Sequence, residues 1–311
     1  MVDLRNIKEC GLDLLTRLGA RPSRELNIYL VRHIFTEANR DEKVLLERPD
    51  RAIRVIPEAR AEAEIAAQFM ANKLWDEYQT NPKAFGRILV LYSPFDRTQD
   101  STIPYLYYLG QKFGRDSDRI LYRPDDRLIE LQIGLRGGRR HEEMAKLFPH
   151  EFAYYELHKH QNAGAYAPSP LGESYMELAW RVRGTHPAIL NDYERKDVRH
   201  CLVVSHGGTS RAFAQGWMNY NPQWMLAETN PGNNWIRHLQ GVPRNGLVVD
   251  PENFRDLGYV HGKGAPLHNP AATQTLLKGA EDSFVLLAQR PNDAVPPGMK
   301  IIDPFQGPRR S

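Results

Sequence analysis

The stretch Asn27-Ile28-Tyr29-Leu30-Val31-Arg32-His33-Ile34-Phe35-Thr36-Glu37-Ala38-Asn39-Arg40 decides how the chain is read. Its apolar part, Ile28 to Val31, is a run of strand formers that stops abruptly at Arg32-His33. In an open α/β sheet, ligands bind beyond the carboxyl ends of the strands. An Arg beside a His at such an end can hold an anion next to a nucleophile. The same dipeptide also fits an ordinary strand end with two exposed polar groups, and short motifs match often by chance. The rest of the chain has to choose.

Two more apolar runs end in a similar way. Arg87 to Tyr92 runs into Ser93-Pro94-Phe95-Asp96-Arg97, and Cys201 to Val204 runs into Ser205-His206-Gly207-Gly208. Helical periodicity separates them. Glu58 to Tyr78 has Ala61, Ile65, Phe69, Leu74 and Tyr78 on one side, and Thr98 to Leu109 and Thr209 to Met218 read as further helices. Ile120 to Arg123 is a short strand, Arg127 to Ile133 a short strand or extended loop, and His141 to Phe148 a short helix. Tyr175 to Asn191 reads as one helix with Ser174 as its cap. Leu247 to Val249 and Phe284 to Ala288 are also strand-like, residues 3–18 have helical spacing, and Pro291 to Ser311 is a Pro/Gly-rich tail.

Strands alternating with helices predict an α/β fold, a three-layer α/β/α sandwich around a mostly parallel central sheet. Parallel neighbours would bring Arg32, His33, Arg97 and His206 to one edge. The expected organisation is a single domain over 1–311, with its core at about 25–240. To this are added an N-terminal helix, a cap-like insertion at about 135–170 and a C-terminal extension at about 241–311.

Composition narrows the function classes. Hydrophobic residues make up 41% and charged residues 25%, which is globular, and a net charge of +3 argues for neither nucleic acid nor a membrane surface. The two cysteines, Cys10 and Cys201, suit a reducing compartment, and Cys201 reads as a buried thiol. No signal-like segment or membrane-length apolar run is present in the sequence, so a cytoplasmic location is expected. Oligomeric state is open, a homo-oligomer included.

A cluster of two Arg and two His without matching acids calls for an anion. Guanidiniums fork onto tetrahedral oxyanions. A neutral imidazole beside them can attack phosphorus, and nearby cations help keep it unprotonated. A second imidazole, if protonated, can hydrogen-bond a phosphoryl oxygen. Charge spread over equatorial oxygens is what such a pocket stabilises, with no metal required.

At this point the motifs resemble a family. Leu30-Val31-Arg32-His33 with Thr36 and Asn39, Ser93 to Arg97, and Leu202 to Ala212 are similar, in order, to motifs of the histidine phosphatase superfamily, the phosphoglycerate-mutase-like proteins, of branch 1 type. Arg127 to Gly134 resembles its acid segment, and Gly172-Glu173-Ser174 with Arg181-Val182 the segment before the second histidine. The resemblance implies His33 as the phosphorylated nucleophile, Arg32 and Arg97 as clamps, His206 as a phosphoryl ligand and Glu130 as general acid and then base. Asn39, Thr36 and Gly207 would contact phosphate or substrate, and Arg136 and Arg139, with Arg140, a second anionic group or solvent. Gly207 stands where the phytase-like branch has Asp, which favours Glu130 as the acid.

The implied activity is a metal-independent, cofactor-free phosphomonoester hydrolase acting through phosphohistidine on a small phosphorylated metabolite, a sugar phosphate or nucleotide. A non-catalytic or weakly active phospho-ligand-binding protein is the alternative. A phosphomutase is disfavoured because the acid segment lacks a Glu-Arg-x-Tyr-Gly pattern. The sequence departs from the family at Ile34, where Gly is usual, and at Phe35, where an acid is usual. Tyr154, Tyr155, Tyr166 and Trp180 are candidates for a cleft lining, a lid or core, and His158-Lys159-His160 for a metal pair or an exposed surface.

Overall fold

The three central strands are apolar on both faces because helices cover both. In β1 (Leu26–Arg32), Leu26, Ile28 and Leu30 point to one side and Tyr29 and Val31 to the other. Leu89 and Leu91 alternate with Ile88 and Val90 in β2 (Arg87–Tyr92), and Cys201 and Val203 with Leu202 and Val204 in β4 (Val198–Ser205). Period-two alternation in a doubly covered sheet thus produces a continuous apolar run.

The computed structural model describes residues 25–161, 164–243, 249, 251–262 and 300–301. The strand order is β6-β5-β1-β4-β2-β3-β7, with β3 at Ile120–Pro124, β5 at Ile236–Gly241, β6 at Phe254–His261 and β7 at Lys300–Ile301. Pairs β1·β4, β4·β2, β2·β3 and β3·β7 are parallel, whereas β5 is antiparallel to both β1 and β6. This is the expected α/β sandwich with a mostly parallel sheet.

Numbering helices of seven or more residues, α1 (Arg60–Thr80) and α2 (Asp96–Phe113) cover one face. Ala66, Ala67, Met70, Leu74, Tyr105 and Leu109 pack there against Tyr29, Val31, Ile88 and Val90. In the insertion lie α3 (His141–Leu147) and α4 (Pro149–Gln161). The other face is covered by α5 (Tyr175–Arg183), α6 (His186–Lys196) and α7 (Gly207–Met218), through Leu178, Val182, Ile189, Phe213 and Trp217. Each such fully buried apolar side chain stabilises the fold by roughly 1.5–3 kcal/mol.

One expectation needs correction, one open reading is decided, and two strands went unseen. Tyr175 to Asn191 is two helices, broken at Gly184-Thr185. Pro187 has no N–H for the Arg183 carbonyl and its ring would clash with it, so α5 ends there and α6 starts with Pro in its first turn. Of the two readings of Arg127 to Ile133, the loop is the one found, with the 3-10 turn Asp126–Leu128 at its start. Strands β5 and β6 lie where no apolar run marks them. Of the earlier strand-like runs, Val249 is irregular, and Leu247, Val248 and Phe284 to Ala288 fall outside the described residues, as do the 3–18 helix and nearly all of the tail.

Register brings the site together. Arg32 of β1 lies opposite Ser205 of β4, and Tyr92 of β2 opposite Val204. One residue beyond, the His33 N–H donates to the Ser205 carbonyl at 2.9 Å and the Ser93 N–H to the Val204 carbonyl at 3.0 Å. His33, Ser93 and His206 therefore leave three adjacent strands at one level.

Candidate active site

Each strand end contributes one fixed group. The His33 ring is buried, and its Nδ1 lies 2.7 Å from the carbonyl oxygen of Ile34. A carbonyl oxygen only accepts, so Nδ1 carries the proton and Nε2 keeps its lone pair. Burial, then Arg97, then Arg32 hold His33 well below the usual imidazole range, against an opposing effect of the Ile34 hydrogen bond. The ring is therefore neutral at pH 7, with its free nitrogen defined.

His206 has the opposite tautomer. Arg97 Nε–H donates to its Nδ1 at 3.2 Å, and Arg has no acceptor, so Nδ1 is unprotonated. Nε2–H then donates to Ser93 Oγ at 2.8 Å. His206 is fully buried, and burial, Arg97, His33 and Arg32 push it well below its usual range. A protonated second imidazole, one of the options left by the sequence, is not the form found here. The two rings meet edge to face, with centroids 5.3 Å apart.

Arg97 lies in the first turn of α2 rather than in the loop before it, because that helix begins at Asp96. The expectation that these cations lack matching acids fails at this residue. Its Nη1 donates to the Asp50 carbonyl at 2.6 Å and lies 2.9 Å from Asp50 Oδ1. Arg32 donates through Nη1 to the Pro231 carbonyl, and burial is the main influence lowering its pKa.

Glu130 reaches the same pocket from the irregular segment after β3. Its carboxylate sits on the amino end of α7, accepting from the N–H groups of Gly208 and Thr209, each at 3.2 Å, and of Leu131 at 2.8 Å. Helix N-termini favour such anions. Gly208 has to be small here, since a Cβ would lie 2.7 Å from Glu130 Oε1. Gly207 faces a different neighbour, and a Cβ there would overlap the Asn230 side-chain oxygen.

Thr36 and Asn39 form a capping box on the one-turn helix Glu37–Arg40. Asn39 Oδ1 accepts from the Thr36 N–H at 3.1 Å and the Asn233 Nδ2 at 3.3 Å, which leaves the Asn39 amide N–H groups as its donors toward the cleft it lines. Asn233 Nδ2 also donates to the His33 carbonyl at 2.9 Å. Sequence reasoning missed Asp50, Ser93 as a partner of His206, Asn230 and Asn233. The Asn pair stands just before β5, a strand that carries no apolar signal.

These groups open into a cleft of about 940 Å³. Arg136, Arg139 and Arg140 line it too, with Arg48 and Arg211. Arg136 Nη1 donates to Tyr155 OH at 2.8 Å, and its guanidinium lies over that ring; Arg139 lies over Phe148. The insertion thus holds Arg136 and Arg139. Of the aromatic candidates, Tyr155 is buried under Arg136, and Tyr154, Tyr166 and Trp180 are exposed away from the cleft, whose aromatic lining comes from Tyr175 and His141. Among the described residues, no cluster of three or more His, Cys, Asp or Glu side chains is arranged to hold a metal. No described helix is long and apolar enough to cross a membrane.

Ile34 does not enter the cleft. Its side chain is buried with Val55, Ile56, Ala59 and Ala63, and its N–H donates to Ser101 Oγ at 3.0 Å. The family model of the histidine phosphatase superfamily (branch 1) matches residues 28–241. The chain belongs to this superfamily. The phosphoglycerate mutase-like protein AT74 of Arabidopsis thaliana is 25% identical over 215 residues, covering 68% of this chain and 64% of that protein. The chain thus spans less than two thirds of this relative's length.

Among solved structures, mycobacterial hydrolase 2 superposes with a TM-score of 0.54 at 20% identity, covering 82% of this chain and 97% of that one. A mycobacterial glucosyl-3-phosphoglycerate phosphatase gives 0.52 at 19% identity, covering 76% and 99%. At these identities the likeness establishes the shared fold of this histidine phosphatase superfamily member.

Proposed function

We propose that the chain hydrolyses a phosphomonoester through a phosphohistidine at His33. The observation that carries this reading is the tautomer of His33, fixed by the Ile34 carbonyl so that Nε2 offers a lone pair beside two guanidiniums. In the first step the Nε2 lone pair forms an N–P bond as the P–O bond to the leaving alcohol breaks. Glu130, protonated in the substrate complex where the phosphoryl dianion lies beside its carboxyl, gives that oxygen a proton. In the second step water attacks phosphorus, the N–P bond breaks, and the Glu130 carboxylate takes the proton from water. Arg32 and Arg97 balance the charge on the equatorial oxygens throughout, and the Asn39 amide supplies a further donor.

The substrate proposed is a small phosphorylated metabolite larger than its phosphate alone, a sugar phosphate or nucleotide. The cleft, at about 940 Å³, has room beyond a phosphate and an arginine-rich lining, which suits a second anionic group contacting Arg136 and Arg139. Hydrolysis of p-nitrophenyl phosphate, followed by a panel of phosphorylated metabolites, tests the reading. Wild type should release phosphate, and His33→Ala should lose at least about 1000-fold in kcat/KM. Equal rates for the two proteins would refute the reading.

A further inference from the structure

The Arg97 guanidinium has five N–H groups, and both Nε and Nη1 already have partners. Nε–H goes to His206 Nδ1, and Nη1 meets Asp50 twice, at the carbonyl oxygen (2.6 Å) and at Oδ1 (2.9 Å). Two-point binding of an oxyanion needs adjacent N–H groups on one edge of the guanidinium. One edge is committed through Nε to His206 and the other through Nη1 to Asp50, so only Nη2 is uncommitted on either.

Asp50 is well placed to act on this edge. It opens the one-turn 3-10 helix Asp50–Ala52 within the irregular connection between β1 and α1. Its side chain lines the same cleft as His33, Arg32 and Glu130, and is 35% exposed, whereas that of Arg97 is 5% exposed. The connection is tied down on either side. Arg48 pairs with Glu37 at 2.8 Å, and Val55 bridges Thr36. Asp50 therefore stands as a carboxylate fixed beside the buried cation that the phosphoryl group needs.

We propose that Asp50 is an affinity-setting residue that acts through Arg97. It is an internal counter-anion that competes with bound phosphate for the guanidinium edge and so limits how tightly inorganic phosphate, the product, is held. This rests on the reading of Arg97 as a phosphoryl clamp. The incoming dianion replaces Asp50 Oδ1 on the Nη1/Nη2 edge, and the carboxylate returns when phosphate leaves. A carboxylate this close to a bound anion also opposes it by like charge. Asp50 thereby stops the arginine-lined pocket from becoming a phosphate trap.

The test is binding of inorganic phosphate by titration calorimetry to wild type, Asp50→Asn and Arg97→Ala, with phosphate inhibition of turnover measured in parallel. Asp50→Asn keeps the side-chain shape and removes the charge. It should bind phosphate about tenfold tighter than wild type and show a correspondingly lower inhibition constant, while Arg97→Ala should bind at least tenfold more weakly. Thermal unfolding of each variant establishes that it is folded, and Asp50→Ser serves as the second uncharged variant. If both uncharged variants bind phosphate more weakly than wild type, or equally, Asp50 merely orients Arg97 and the inference is overturned. If wild type and Arg97→Ala bind phosphate alike, the clamp reading itself fails, an outcome distinct from the first.

Discussion

The ring of His33 is oriented by its own neighbour, since Nδ1–H donates to the Ile34 carbonyl 2.7 Å away. The contact is made by backbone, so it does not depend on the side chain at position 34. That side chain turns the other way, into a small cluster with Val55, Ile56, Ala59 and Ala63. The departure from the family's usual glycine is therefore a packing feature rather than an obstruction of the cleft.

The first prediction concerns this separation of roles. Ile34→Ala should destabilise the fold by about 2–4 kcal/mol, the cost of truncating a buried aliphatic side chain, while changing phosphate affinity less than twofold. Urea unfolding and phosphate titration on the same preparation check both halves. A large change in affinity with unchanged stability would show that position 34 faces the ligand.

Ser93 is the partner of the His206 Nε2–H, accepting it at 2.8 Å once Arg97 has set the tautomer. Ser93→Ala should leave that buried donor without a partner, at about 1–3 kcal/mol of stability. It should also lower kcat, because His206 then loses the anchor that keeps its Nδ1 on Arg97. Ser93→Thr retains the acceptor and should restore activity in part.

Gly208 gives Glu130 its seat. A Cβ at this position would stand 2.7 Å from Glu130 Oε1, so Gly208→Ala should shift the carboxylate off the α7 amino end. The expected outcome is a tenfold or larger loss of kcat, on the order of 1.4 kcal/mol of transition-state stabilisation. The change in unfolding midpoint should be small. Steady-state kinetics with thermal unfolding separate the two effects.

The buried histidines outside the cleft, His186, His200 and His238, weaken the fold in acid. Burial pushes His186 and His200 down to about 3, and His238 down to about 4. When unfolded, these rings take up a proton near the ordinary imidazole value of 6.5. Between that value and the folded one, the unfolded chain binds more protons. Stability is therefore full above about pH 6.5 and falls as pH drops below it, by up to ~1.4 kcal/mol per pH unit for each ring. His186→Phe, which keeps a ring against Phe213 and Trp217, should flatten the fall between pH 6.5 and 5 in urea unfolding. An unchanged slope would contradict the assignment.

Much of this arrangement was legible in the sequence because the central strands are covered on both faces. That makes them apolar runs, and it makes Arg32, Ser93 and Ser205 visible as the points where the runs stop. Strand β5 was illegible because Arg237 and Gln240 interrupt its buried positions, and β6 because much of this edge strand meets solvent. With β5 went Asn233, whose bond to the His33 carbonyl joins residues 200 apart in the chain. Asp50 was hidden for another reason. Its connection has no periodicity, and only the fold shows that it folds back onto Arg97.

The central claim is that His33 Nε2 carries the phosphoryl group. The most direct measurement is rapid mixing with a turned-over phosphomonoester, quenching in base to preserve phosphohistidine, and tandem mass spectrometry of the digest. The phosphoryl group should appear on the peptide containing His33, within the time of one turnover, and be absent from His33→Ala. Steady turnover with no phosphoryl group on His33, or with it on another residue, would contradict the account.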